Sequence, residues 1–192
     1  MENENTTENK YTPKLREILV WPDDRLHQEG SDVTEFNEEL EHLVEDMFVT
    51  MTAHEGVGLA APQIGELLNI ITIRIEPNNP LVLINPTIIG TSDADFTFEE
   101  GCLSVPGHFE KRKRPDLISV RFQDVKGEEH EFDFLNLYAF AIQHEMDHLN
   151  GKVFVDGASW FKQGRIEKKI KKAMKARQGM IERAEQVLFT NT

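Results

Sequence analysis

The sequence predicts an α+β fold with antiparallel or mixed sheets and a C-terminal amphipathic helix. Three observations carry this prediction. Apolar residues recur at helical spacing early and late in the chain, and short β-branched or aromatic runs separated by turn residues fill the middle. The order is also helix, strands, helix, rather than the alternation that builds a parallel sheet.

The elements follow in order. Residues 1–12, opening "MENENTTENK", are too polar to offset the entropy cost of ordering and are expected to form a disordered tail. They lack the basic and apolar regions of a secretory signal, and no apolar run approaches the ~18 residues that span a bilayer. A cytoplasmic protein without membrane attachment is expected. Leu40, Leu43, Val44, Met47, Phe48 and Met51 line one face of a helix, with Asn37 as N-cap and Gly56 as stop. "NIITIRIE", "LVLINP", "DFTF", "LISVRFQD" and "EHEFDF" read as strands, divided by the turns "PNNP", "GTSD" and "DVKGE". Helical spacing returns from about Leu135 to Leu149. From Trp160 onward Ile166, Ile170, Ala173 and Met174 share one side of a basic helix.

With 192 residues and neither internal repeat nor linker, the chain reads as a single domain. A catalytic body spans 13–161, and 162–192 form a basic helix and tail belonging to it. The net charge of −13 argues against general nucleic-acid affinity. Yet the segment 162–177 holds Lys162, Arg165, Lys168, Lys169, Lys171, Lys172, Lys175 and Arg177 against Glu167 alone. A basic arm on an acidic body invites a polyanionic partner.

The chemistry starts at "QHEMDHLNG", residues 143–151. On a helix His144 and His148 lie on one face and can present two imidazoles to one ion, while Glu145 is rotated about 100° away. Leu137, Phe140 and Ala141 continue the histidine face, and Ile142, Met146 and Leu149 face the core. The pattern opens the zinc-protease reading, but the extended protease motif wants a third histidine where this chain has Phe154. A third ligand must come from elsewhere. Cys102, the sole cysteine, can form no internal disulfide and sits in "EEGCLSVPG". A Cys, His, His set suits a divalent transition metal with the fourth position open, which is what catalysis needs. A closed, structural site would want another clustered ligand, and His27, His42, His54, His108 and His130 show no paired spacing. The motif of nucleobase deaminases is absent. A metalloprotease and a metal-stabilised binding module remain the alternatives to a different metal-dependent hydrolase.

"GVGLAAPQIG", residues 56–65, places Gly56, Gly58 and Ala61 at dinucleotide-fingerprint spacing, with Glu76 beyond. The fingerprint must follow a strand and open a helix. Here it follows a helix and contains Pro62, so it reads instead as a loop that lets backbone approach a substrate, with Gln63 supplying an amide.

Together "GVGLAAPQIG", "EGCLS" and "QHEMDHLNG", in this order, resemble the three signature motifs of the peptide deformylases. The resemblance runs from about Arg16 to Arg177. It implies antiparallel sheets packed around a central metal-binding helix, and removal of the formyl group from the N-terminal methionine of new polypeptides. By the same resemblance Cys102, His144 and His148 bind the metal and Glu145 is the general acid and base. Gln63 and the backbone N–H of Leu103 hold the oxyanion. Backbone at Gly58 aligns the peptide, and Val57, Phe98, Leu137, Phe140 and Ala141 line the methionine pocket. The donor set accepts zinc, nickel, cobalt or iron, and the resemblance favours ferrous iron, Fe2+. A monomer acting on formyl-methionyl nascent chains is implied, with ribosome contact expected through the basic helix. The segment after "EGCLSVPG" departs from the family pattern, because Phe109 stands where relatives often carry a polar or basic residue.

Overall fold

The computed structural model describes the backbone of residues 11–190 and the side chains of residues 11–176. Most of the expected tail therefore lies outside the described residues. At Tyr11 the chain is already held: its hydroxyl donates to Asp46 Oδ1 at 2.9 Å, and Lys14 N and Arg16 N donate to Asp46 Oδ1 and Thr50 Oγ1.

Three helices and seven strands make up the described fold: α1 (Glu38–Ala53), β1 (Gly58–Ala60), β2 (Ile70–Ile73), β3 (Leu81–Thr91), β4 (Asp95–Gly101), β5 (Phe109–Pro115), β6 (Leu117–Gln123), β7 (Glu129–Leu135), α2 (Leu137–Leu149) and α3 (Trp160–Thr190). Five strands form one sheet in the order β1-β2-β3-β6-β7, while β4 and β5 form a separate ribbon. Every pair is antiparallel. The predicted class holds, and the sheets are antiparallel rather than mixed.

Local sequence explains the helix ends. Asn37 accepts from Leu40 N at 3.0 Å and three glutamates occupy the first turn of α1, where the dipole favours negative charge. The expected stop at Gly56 is corrected in detail: α1 ends at Ala53, and the positive φ falls on Glu55 (57°). Gly56 serves a close approach instead, because a Cβ there would lie 2.7 Å from Leu103 Cδ1.

Three apolar clusters fix the layers. Leu40, Val44, Met47 and Met51 of α1 pack with Leu59, Ile70 and Ile84. Ala139, Ile142 and Leu149 of α2 pack with Ile71, Ile73, Leu83, Ile118 and Val120, so the face of α2 assigned to the core is buried against the sheet. Ile166 and Ile170 anchor α3 to Leu19, Trp21, Leu26, Val105 and Val153–Val155. Burial of such side chains contributes about 1.5–3 kcal/mol each before the entropy cost.

Two strands escaped the sequence pattern. β1 is only three residues long, and β5 is the charged run "FEKRKRP", whose alternation buries Arg114 rather than an apolar residue. β3 runs further than expected, through Pro86, because the register shifts between Ile84 and Thr87. Proline is tolerated at such an irregularity since no ladder donor is lost. Among the described residues no helix is long and apolar enough to cross a membrane.

Candidate active site

The α2 helix delivers the first two donors. His144 and His148 are one turn apart, with ring centroids separated by 5.1 Å and planes at 84°, and both are buried. The third donor enters from the turn after β4, where Cys102 Sγ lies 3.2 Å from His148 Nε2. One donor atom from each of Cys102, His144 and His148 falls within 4.8 Å of the others. The ligands expected from the sequence are thus brought together.

Around them sits a support built from residues far apart in the chain. His144 Nδ1 lies 2.9 Å from Glu100 Oε2, which commits that nitrogen and leaves the other for the cluster. Glu100 is in turn gripped by Arg114, through Nε to Oε1 and through Nη2 to Oε2 at 3.0 Å. The same Nη2 donates to Asp147 Oδ2 at 2.8 Å, tying β4, β5 and α2 together. Burial alone would raise the Glu100 carboxyl, but the hydrogen bonds from His144 and Arg114 outweigh it and bring its pKa from 4.5 down to about 2. Burial likewise lowers His144, yet its bonds to Cys102 and Glu100 win and hold it well above the usual imidazole value. His148 is driven well below that value by burial and by the neighbouring His144 charge.

The Glu100 shift predicts how the fold responds to acid. A carboxyl depressed in the folded state contributes stability above its unfolded pKa and loses it as pH falls through the folded one. The window here runs from about 4.5 down to about 2. Urea midpoints measured across it should fall steeply, and the Glu100→Gln variant should show a flatter acid dependence from a lower starting stability.

Glu145 is buried beside the ligands, and burial pushes its carboxyl up to about 7. Its Oε2 has no hydrogen-bond partner, an orphaned acceptor in a buried pocket. Strand β1 passes directly over it: a Cβ on Gly58 would lie 2.4 Å from Glu145 Oε1. Glycine at 58 is therefore required for the seat of the carboxylate, a role beyond the peptide alignment expected from the sequence. Gly58→Ala should displace Glu145 and lower kcat/KM on the order of 10²-fold with metal content retained, as metal analysis and initial rates can check.

Gln63 lies in a short 3-10 turn, Ala61–Ile64, that follows β1. Its orientation is fixed by Ala60 N, which donates to Oε1 at 2.8 Å. The amide nitrogen is thereby aimed at Ser104 Oγ (3.1 Å) and Cys102 Sγ (3.5 Å). Leu103 follows Cys102 directly in the chain, and its side chain packs against Gly56. On the other side Phe98 stacks on Phe140 with centroids 5.0 Å apart. Phe140 and Ala141 are buried, while Val57, Phe98 and Leu137 are between 36% and 46% exposed. Phe109 pairs in register with Gly101 and lays its ring against it, with the side chain otherwise exposed.

The donor set fits a divalent transition ion. A thiol and two imidazoles converge, one imidazole has its second nitrogen on a carboxylate, and a buried carboxylate with one unpartnered oxygen stands alongside. Glu100, Arg114 and Asp147 were missed because their partners are distant in sequence, although Glu100 and Asp147 lie within the two quoted motifs.

An antiparallel α+β frame that focuses Cys, His, His and a raised glutamate on one point defines a metal-dependent hydrolase. The family described as "Polypeptide deformylase" matches residues 15–163. The chain is 45% identical over 163 residues to "Peptide deformylase 1" of Shewanella oneidensis, covering 84% of this chain and 96% of that protein. A crystal structure of a peptide deformylase from Legionella pneumophila superposes with a TM-score of 0.80 at 40% identity, covering 86% of this chain and 98% of the other. The peptide deformylase from Ehrlichia chaffeensis in complex with actinonin gives 0.78 at 37% identity, covering 82% and 96%. The chain belongs to the peptide deformylase family.

Proposed function

We infer that this chain removes the formyl group from the N-terminal formyl-methionine of newly made polypeptides, releasing formate. The observation that carries the reading is the convergence of Cys102, His144, His148 and the Gln63 amide, with the buried Glu145 next to His144 in the chain.

Cys102, His144 and His148 are the residues that would hold the ion. When bound it supplies a Lewis acid and acidifies the attacking water. The chain's own residues do the rest. Glu145, with a pKa raised to about 7, can both accept and return a proton near neutral pH. It takes the proton of the water whose oxygen adds to the formyl carbon. Gln63 Nε2 and Leu103 N–H donate to the oxyanion that develops on the former carbonyl oxygen, each worth on the order of 3 kcal/mol. Because Ala60 fixes the Gln63 carbonyl, the amide is already turned the right way before substrate arrives. Glu145 then gives its proton to the amine nitrogen as the C–N bond breaks, leaving formate and a free N-terminus.

Binding follows from the sheet edges. β1 ends the five-stranded sheet and β4 has a strand partner on one side only, so each offers backbone to an extended peptide, with Gly58 against Glu145 and Gly101 next in sequence to Cys102. Val57, Phe98, Leu137, Phe140 and Ala141 then receive the methionine side chain. Ferrous iron is the metal we assign; the thiolate ligand would make the site sensitive to oxidation. A reducing, cytoplasmic setting and action as a monomer suit such a site. The lysine-rich face of α3 is assigned to contact with the ribosome, where formylated chains emerge.

The test is discrimination by the cap. Formyl-Met peptides should be deformylated while uncapped and acetylated peptides and internal peptide bonds survive. Cleavage of internal bonds indifferent to the cap would favour the metalloprotease alternative instead.

A further inference from the structure

The deformylase reading leaves one prominent surface unused. Trp160 and Phe161, in the first turn of α3, are 78% and 76% exposed, with ring centroids 5.0 Å apart at 70°. They border a groove whose other walls are Trp21, Pro22, Gln163, Gly164, Arg165, Lys168 and Glu167, the last of them neutralised by Lys171. Helix anchoring does not explain the pair, because Ile166 and Ile170 already do that from the opposite side. Two adjacent exposed aromatics are a binding feature rather than a packing one.

The charges around them have a sign and are available. Lys162 is paired with Glu110 and Lys171 with Glu167, but Arg165 and Lys168 make no ion pair among the described residues. Nor do Lys169, Lys172 and Lys175 further along the helix. At Gly164 a Cβ would meet nothing within 4 Å, so the helix is bare between the aromatic pair and the two groove cations. A flat ring can lie there against Trp160 or Phe161 with its attached phosphate toward Arg165 and Lys168.

We propose that the Trp160–Phe161 groove docks single-stranded RNA, stacking an unpaired base on the aromatic pair and holding its phosphates with Arg165 and Lys168. Aromatic platforms flanked by cations are how single strands are bound without sequence readout. A membrane surface fits less well: an interfacial helix needs an apolar stripe facing outward along its length, and over the described side chains of α3 Ile166 and Ile170 are buried. Beyond the aromatic pair the described exposed face of α3 is lysine, with Met174 the one large apolar side chain. The inference deepens the ribosome contact assigned to α3 and rests on it, naming the chemistry of that contact; it is independent of the catalytic reading.

The test uses the full-length, metal-loaded enzyme and an end-labelled oligoadenylate, read by anisotropy and by tryptophan emission. Trp160 is exposed and the chain's other tryptophan, Trp21, is buried, so stacking should quench mainly the first. Oligoadenylate should bind more tightly than inorganic polyphosphate and quench emission. The double variant Trp160→Ala, Phe161→Ala should weaken it about ten-fold or more. Trp160→Phe, which keeps a stacking face, should lose less. Arg165→Ala, Lys168→Ala should weaken RNA and polyphosphate alike and shallow the salt dependence. Deformylation of a short formyl-Met peptide should be unchanged in all of them. If the aromatic variants bind RNA normally while the basic variants do not, stacking is wrong and only the charged contact survives. Absence of RNA binding would overturn both, and quenching by anionic phosphatidylglycerol vesicles but not RNA would make the surface a membrane contact and end the proposal.

Discussion

Glu145→Gln is expected to bind metal and peptide nearly as the unaltered chain does, yet to deformylate about 10²–10⁴-fold more slowly. Glutamine keeps the shape and volume that the seat under Gly58 demands, where a larger change would disturb β1 as well. What it removes is the capacity to accept and return a proton. The loss should appear in kcat rather than KM, because the reading gives Glu145 no contact that distinguishes bound from free peptide. Initial rates of formate release on metal-saturated protein, with inhibitor or product binding as the control, measure it. A variant with normal kcat would remove Glu145 from the chemistry.

The second large effect is expected at Arg114, a residue without any place in the reaction. Arg114→Met leaves Glu100 and Asp147 without their shared cation, and Glu100 is almost fully buried. Breaking a buried pair by removing one partner costs about 3–5 kcal/mol, because the remaining charge is stranded. The damage should also reach the metal. With Glu100 no longer steadied, the orientation of His144 loosens, and loss of such outer support lowers metal affinity about 10–100-fold. Urea unfolding and metal competition with a chelator report the two effects separately. The double variant Arg114→Met, Glu100→Met should be less destabilised than Arg114→Met alone, since the only carboxylate then left without Arg114 is the partly exposed Asp147. Equal destabilisation would mean that the pair is a bystander. Metal affinity should stay low in the double variant, which separates positioning from folding.

The parts that sequence revealed and the parts it hid differ for physical reasons. The α1 and α2 helices were readable because a helix shows a periodic apolar face, and on α2 the same periodicity put His144 and His148 together and turned Ile142 and Leu149 to the core. Cys102 was reachable by elimination, as a metal set of two histidines lacks a ligand and the chain has one cysteine. The strand β5 was hidden because its alternation is between lysines, arginines and glutamate, and the buried member, Arg114, looks like a surface residue until Glu100 and Asp147 are seen around it. The second role of Gly58 was hidden too. A glycine in a loop motif suggests approach to a substrate, whereas the contact that forbids a Cβ here comes from the Glu145 carboxylate, 87 residues away in the chain (145 − 58). Long-range packing, not local preference, decides such positions.

The most direct test of the central claim is formate release from a formyl-methionyl peptide by anaerobically purified protein, with metal content determined on the same sample. Formate and a free methionine N-terminus are expected in equal amounts, with a divalent transition ion bound to each chain and loss of both ion and activity in Cys102→Ala. Metal-loaded protein that releases no formate, or that cuts internal peptide bonds while leaving the formyl cap in place, would contradict it.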